Sequence, residues 1–235
     1  MIDFKNQTLL IVAPHPDDEV LGCGGLIRRI KNEGGKVYVL FMTVGDTDDY
    51  RKEGMSTGSE RMQEIEDVAK YLAYDNYRIA FSGNQYHLRL DTMPQLELMK
   101  ELEKGPLSLN KIKPTIVATP FFSDYNQDHR AATMSMFASG RPAPTDVKPL
   151  QNVVLGYESV PTASWWDKGG GMNFYLHLTE EELAAKIQAL TLYKSQVRTG
   201  NHPRSLESVK KLAQFRGIEA GNGAAEAFFT YRFIV

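Results

Sequence analysis

The residues Thr8 to Ala13 (TLLIVA) run without polar alternation and stop at Pro14-His15-Pro16-Asp17-Asp18-Glu19, where four ionisable side chains crowd around two prolines. An unbroken apolar run of strand length predicts a strand covered on both faces, and so a central one. Behind the turn, Glu19 to Asn32 places Val20, Leu21, Leu26, Ile27 and Ile30 at near-helical spacing, and Gly34-Gly35 ends the segment. A buried strand, a polar turn and a helix predict an α/β fold. In open parallel sheets ligands bind beyond the carboxyl ends of strands, which makes this turn the first place to look for a site.

The same grammar recurs along the chain. Lys36 to Thr43 reads as a second buried strand, Gly45 to Gly58 as a polar loop, and Ser59 to Tyr74 as a helix with Ser59 as its cap. A short strand at Tyr77 to Phe81, a helix over Pro94 to Lys104, a strand at Thr115 to Thr119 and a helix at Asp128 to Ser139 follow. Such alternation predicts a Rossmann-like, mostly parallel sheet sandwiched by helices. From about Arg141 the pattern weakens. A proline-rich connection leads to a strand at Asn152 to Tyr157, a Trp- and Gly-rich loop at Ser164 to Gly171 and a strand at Asn173 to Leu178. Thr179 and Glu182 form a capping-box pair for a helix to about Ser195, and a helix near Ser205 to Arg216 precedes a last strand, Phe228 to Val235. The 235 residues are read as one domain, with a core over 1–140 and a carboxy-terminal elaboration over 141–235.

Composition narrows the function. Lys plus Arg number 27 against 29 for Asp plus Glu, with no basic block to neutralise a run of phosphates, so nucleic acid is not expected as a partner. Cys23 is the single cysteine, which rules out an intrachain disulfide or a multi-cysteine zinc site and fits a reducing compartment. No stretch approaches the roughly 20 apolar residues of a membrane helix, and the expectation is a soluble cytoplasmic protein. Homo-oligomerisation is left open.

Adjacent carboxylates repel, and a divalent cation would resolve that repulsion at the first turn. Imidazole and carboxylate suit zinc, and His15 and Asp18 converge if Asp17 projects differently. The Thr115–Thr119 strand runs into a second polar turn in which His129 opens the next helix, as a third candidate ligand. Two His and one Asp leave a position for water or substrate, the pattern of a catalytic site. The plain alternative is that Asp17, Asp18 and Asp128 cap helices and that the histidines are ordinary hydrogen-bonded residues.

Ala13 to Glu19 resembles the Ala-His-Pro-Asp-Asp-Glu signature of the LmbE-like, or PIG-L, N-acetyl sugar deacetylases, with Pro14 inserted. Arg61-Met-Gln-Glu64, Asn126-Gln-Asp-His129-Arg130, Lys186 to Gln196, His202-Pro-Arg-Ser205, and Arg216-Gly217 leading to Ala225-Glu226-Ala227-Phe228 resemble family segments in family order. The resemblance implies an LmbE-like fold and zinc held by His15, Asp18 and His129, with Fe2+ or another divalent ion also able to occupy such a set. It implies Asp17 as the general base in removing an N-acetyl group from a sugar or aminoglycoside-like molecule such as an N-acetylglucosamine derivative. Zinc would acidify a bound water, and Asp17 would take the proton and return it to the leaving amine.

A second histidine is common in the family three residues before the zinc-binding one. This chain has Asn126 there, which cannot donate a catalytic proton at neutral pH and is read as a substrate-binding residue. Asp128 orients a ligand or caps its helix. Arg61 binds substrate or pairs with Glu60 or Glu64. Gly22, Gly24 and Gly25 fit close helix packing better than a phosphate loop, Trp165 and Trp166 fit a sugar platform or packing, and His87 and His177 are read as structural. The rival functions are a zinc hydrolase of another amide or ester, and a dinucleotide-binding module.

Overall fold

The amino-terminal apolar run is β1 (Thr8–Ala13), and its side chains divide between two cores. Leu9, Ile11 and Ala13 enter one cluster with Val20, Leu26, Ile27 and Phe228, while Leu10 and Val12 enter a second with Leu98, Leu102 and Met136. Burial on both faces is why the run carries no polar alternation. The computed structural model describes residues 3–48, 54–160, 162–166, 171–221 and 223–234.

After β1 come α1 (Asp18–Asn32), β2 (Lys36–Val44), a short antiparallel pair β3 (Thr47–Asp48) and β4 (Met55–Ser56), α2 (Gly58–Tyr71) and β5 (Asn76–Ser82). Next are α3 (Gln95–Lys104), α4 (Leu109–Ile112), β6 (Ile116–Pro120) and α5 (Gln127–Ser139). The carboxy-terminal part adds β7 (Val153–Tyr157), β8 (Phe174–His177), α6 (Glu180–Leu192), α7 (Leu206–Glu219) and β9 (Ala225–Phe233). The main sheet has the order β5-β2-β1-β6-β7-β9-β8. Strands β5 to β7 in that order are parallel, and β9 runs antiparallel to both β7 and β8. Because β7 pairs with β6, the elaboration extends the sheet of the core. The chain leaves β1 towards β2 and returns to its other side as β6, so the carboxyl ends of β1 and β6 flank a topological switch point.

Some boundaries differ from the sequence expectation for visible reasons. Thr57, and not Ser59, caps α2: its hydroxyl accepts from Glu60 N–H while the Glu60 carboxylate accepts from Thr57 N–H. Helix α6 stops at Leu192 instead of about Ser195, because Glu64 captures the Ser195 N–H and hydroxyl at 2.7 Å each. The last strand begins three residues early, at Ala225; Val235, and 167–170 of the Trp- and Gly-rich loop, lie outside the described residues.

The glycines of α1 are packing residues. A Cβ on Gly22 would lie 2.2 Å from the Tyr157 ring, one on Gly24 2.8 Å from Lys186, and one on Gly25 2.4 Å from Leu178. A buried ion pair, Lys186 with Glu226 at 2.7 Å, docks here: Lys186 donates to the Leu21 carbonyl, and Glu226 accepts from Gly25 and Leu26 N–H. Cys23 is buried in the same helix. Among the described residues, no helix is long and apolar enough to cross a membrane.

Candidate active site

The turn after β1 is closed by its own hydrogen bonds. Asp18 Oδ2 accepts from His15 N–H at 3.0 Å, and the Pro14 carbonyl accepts from Thr43 N–H and its hydroxyl on the next strand. Asp17 occupies the N-cap of α1 with φ 107°, in the left-handed region that non-glycine residues avoid, and its carboxylate does not cap the helix. Glu19 supports this backbone by accepting from Asp17 N–H at 3.1 Å, and the Tyr74 and Tyr193 hydroxyls donate to Glu19 in turn. Burial, opposed by the Tyr193 hydrogen bond and reinforced by Asp17, pushes the Glu19 carboxyl up to about 8.

His15, Asp18 and His129 converge. One ligand atom from each lies within 4.8 Å of the others, and all three residues are buried. His15 Nδ1 is 3.4 Å and His129 Nε2 3.1 Å from Asp18 Oδ2. The other ring nitrogens are held outside the cluster: His15 Nε2 pairs with Asp128 Oδ2 at 2.9 Å, and His129 Nδ1 with Asp124 Oδ2 at 2.7 Å. A carboxylate behind each imidazole fixes its tautomer and leaves the inward nitrogen a lone pair for a metal. Burial opposes charge on both groups, yet mutual attraction wins: the histidines hold Asp18 well below the usual carboxylate range, and Asp18 and Asp124 hold His129 well above the usual imidazole range.

Asp17 sits beside this set and is buried. Burial pushes its carboxyl up, Arg204 pulls it back, and Asp18 raises it further. Arg204 NH1 lies 3.4 Å from Asp17 Oδ2 and 3.4 Å from Gln196 Oε1. On the opposite wall Arg61 is almost fully buried, and it bonds Thr47, His87 and the Pro16 carbonyl in place of the expected Glu60 or Glu64. Its Nε has no hydrogen-bond partner among the described residues. His87 accepts from Arg61 at Nε2 and pairs with the Thr43 hydroxyl through Nδ1; burial, His15 and Arg61 push it down to about 3, so it is neutral.

These groups line a cavity of about 80 Å³ that also includes Tyr125, Asn126, Ser159 and Ala163. Asn126 has a second occupation: its side-chain oxygen caps α5 by accepting from Asp128 N–H at 2.9 Å. Trp165 and Trp166 are exposed, and neither lines the cavity, so packing in the core is excluded for both. Sequence reasoning missed Asp124, Arg204 and the cavity-lining position of His87. Nothing in the sequence sets Asp124 apart from the other polar residues of its turn, whereas Arg204 lies in the His202-Pro-Arg-Ser205 segment that the family resemblance covers without giving Arg204 a role.

A mostly parallel sheet with an imidazole–carboxylate cluster at its switch point, a strained aspartate that does not cap its helix beside it and a small cavity in front defines the class: an α/β domain with a His-Asp-His group that could hold a metal ion. The chain belongs to the PIG-L family, whose description is GlcNAc-PI de-N-acetylase and whose model matches residues 10–138. It is 26% identical over 196 residues to the uncharacterized deacetylase YaiS of Escherichia coli (strain K12), covering 81% of this chain and 92% of that one. Among solved structures, a conserved protein of Thermus thermophilus is 28% identical with a TM-score of 0.69, covering 97% of this chain and 96% of the other. The N,N'-diacetylchitobiose deacetylase of Pyrococcus horikoshii is 20% identical with a TM-score of 0.70, covering 97% and 87%. GalB of Pseudomonas putida KT2440, a 4-carboxy-2-hydroxymuconate hydratase, shares the fold at 18% identity and a TM-score of 0.67, covering 97% and 98%. The fold thus hosts more than one chemistry, and the site must decide between them.

Proposed function

We propose that this protein is a metal-dependent N-deacetylase that hydrolyses the acetamido group of a small sugar or aminoglycoside-like molecule. The convergence of His15, Asp18 and His129, each imidazole backed by its own carboxylate, carries this reading. Two nitrogens and one carboxylate suit zinc, and Fe2+ is a chemically acceptable occupant. A divalent ion held by His15, Asp18 and His129 would polarise the amide carbonyl and acidify water at the site.

The protein's own residues account for the proton traffic. Asp17 is the general base: its carboxylate is buried beside the cluster and free of helix capping. It takes a proton from the attacking water and returns it to the amine nitrogen as the C–N bond breaks, so acetate and a free amine leave. Burial suits both steps by keeping the proton affinity of Asp17 above that of an exposed aspartate. The cavity of about 80 Å³ is several times the roughly 10–15 Å³ that one water requires, which leaves room for an acetyl group with the remaining substrate towards the opening. Arg61 and Asn126, which line the cavity, are the substrate-contacting candidates. Asp128 fixes the His15 tautomer.

The neighbouring aspartates provide the test. Asp17→Asn should keep the metal and lose most turnover, whereas Asp18→Asn should weaken the metal itself. Near-normal turnover of metal-loaded Asp17→Asn would remove the general-base assignment.

A further inference from the structure

The Asp17 carboxylate has a single hydrogen-bond partner among the described residues, and it comes from the far end of the chain: Arg204, at 3.4 Å. Asp17's own helix does nothing to aim it, since no capping bond restrains the side chain. We propose that Arg204 is the positioning residue that aims the Asp17 carboxylate into the cavity. This inference rests on the reading of Asp17 as general base.

Arg204 is itself held by a relay. Glu64 on α2 accepts from the Ser195 N–H and hydroxyl at 2.7 Å each. Gln196 Nε2 donates to the Ser195 hydroxyl at 2.9 Å, and Gln196 Oε1 accepts from Arg204. Glu64, Ser195 and Gln196 are all buried, so the relay is a fixed wall and not a set of surface contacts. The backbone is tied as well. Arg204 N–H donates to His202 Nδ1 at 3.0 Å, its carbonyl accepts from Arg198 N–H, and Arg198 bridges to Ser205, which caps α7. Segments separated in sequence, around Glu64, Ser195-Gln196 and Arg204, therefore meet at one carboxylate. Asn126 brings no charge to this side of the cavity, and Arg204 alone forms an ion pair with Asp17 among the described residues.

A residue that acts by aiming another should change turnover more than substrate binding, and its loss should vanish once the aimed group is gone. Arg204→Met, Arg204→Lys, Ser195→Ala, Asp17→Asn and the double variant Asp17→Asn/Arg204→Met are compared in the full chain at matched metal content. Arg204→Met should lower kcat about 100-fold, the scale of a misplaced catalytic group, with KM within threefold of wild type. Added guanidinium ion should restore at least tenfold of the loss. Arg204→Lys and Ser195→Ala should fall between wild type and Arg204→Met, and the double variant should be no slower than Asp17→Asn. A loss carried by KM, no rescue by guanidinium, or additive losses in the double variant would overturn the positioning role while leaving the general base intact. Near-normal turnover of Asp17→Asn would instead overturn the base assignment and this inference with it.

Discussion

Asp128→Asn probes the part of the site furthest from substrate and closest to the metal logic. Asp128 has no solvent exposure, and both its oxygens are committed: Oδ2 to His15 Nε2 at 2.9 Å and Oδ1 to Leu90 N–H at 2.9 Å. An amide offers one acceptor oxygen where the carboxylate offers two. If that oxygen stays with Leu90, the NH2 faces His15 Nε2 and drives the ring proton to Nδ1, the nitrogen 3.4 Å from Asp18 and the one a metal needs. If the amide flips, two donors face each other at Leu90, at a cost of about 1–3 kcal/mol. Loss of such an outer partner typically weakens metal binding 10–100-fold, or about 1.4–2.8 kcal/mol. Competitive zinc titration against a chromophoric chelator at fixed pH measures it. A folded Asp128→Asn protein binding zinc within threefold of wild type would refute the claim that Asp128 sets the His15 tautomer.

Other variants test separate links. Gly22→Ala places a Cβ 2.2 Å from the buried Tyr157 ring, and overpacking of this kind costs about 1–3 kcal/mol, so Tm should fall by roughly 2–12 °C in a chain of this size; an unchanged Tm would contradict the packing role. Asn126→Ala removes the α5 cap, at about 1 kcal/mol of stability by denaturant titration, yet should leave the basic limb of the kcat/KM profile in place because an amide does not titrate there; a displaced limb would point to an acid controlled by Asn126. His87 is held at about 3 against an ordinary 6.5, so the unfolded chain binds the extra proton: its contribution is present above pH 6.5 and is lost as pH falls towards 3, by at most about 1.4 kcal/mol per pH unit. Urea unfolding across that window should slope less in His87→Gln than in wild type, and equal slopes would remove His87 as the cause.

Much of the frame was legible because β1, β2 and β6 are buried on both faces and α2 and α6 carry helical spacing with capping signals. The three convergent residues His15, Asp18 and His129 were legible too, since His15 and Asp18 stand in the polar turn directly after β1 and His129 opens the helix after the polar turn that follows β6. Contacts between distant segments were not legible. Nothing local ties Glu64 to Ser195 or Arg204 to Asp17, because those pairs exist only after α2, the end of α6 and the loop before α7 have packed together. Arg61 shows the same limit from the other side: helical spacing suggested Glu60 or Glu64, and tertiary packing gave it Thr47, His87 and a carbonyl oxygen instead.

Acetate and free amine released from N-acetylglucosamine, N,N'-diacetylchitobiose and related acetamido sugars by the zinc-loaded protein test the central claim most directly. At least one of these substrates should yield acetate and amine in equal amounts, with release abolished by chelation, restored by added zinc or Fe2+, and lost when His15 and His129 are both replaced. No release across the panel from a fully metal-loaded protein, or release that survives chelation and the double replacement, would contradict the account.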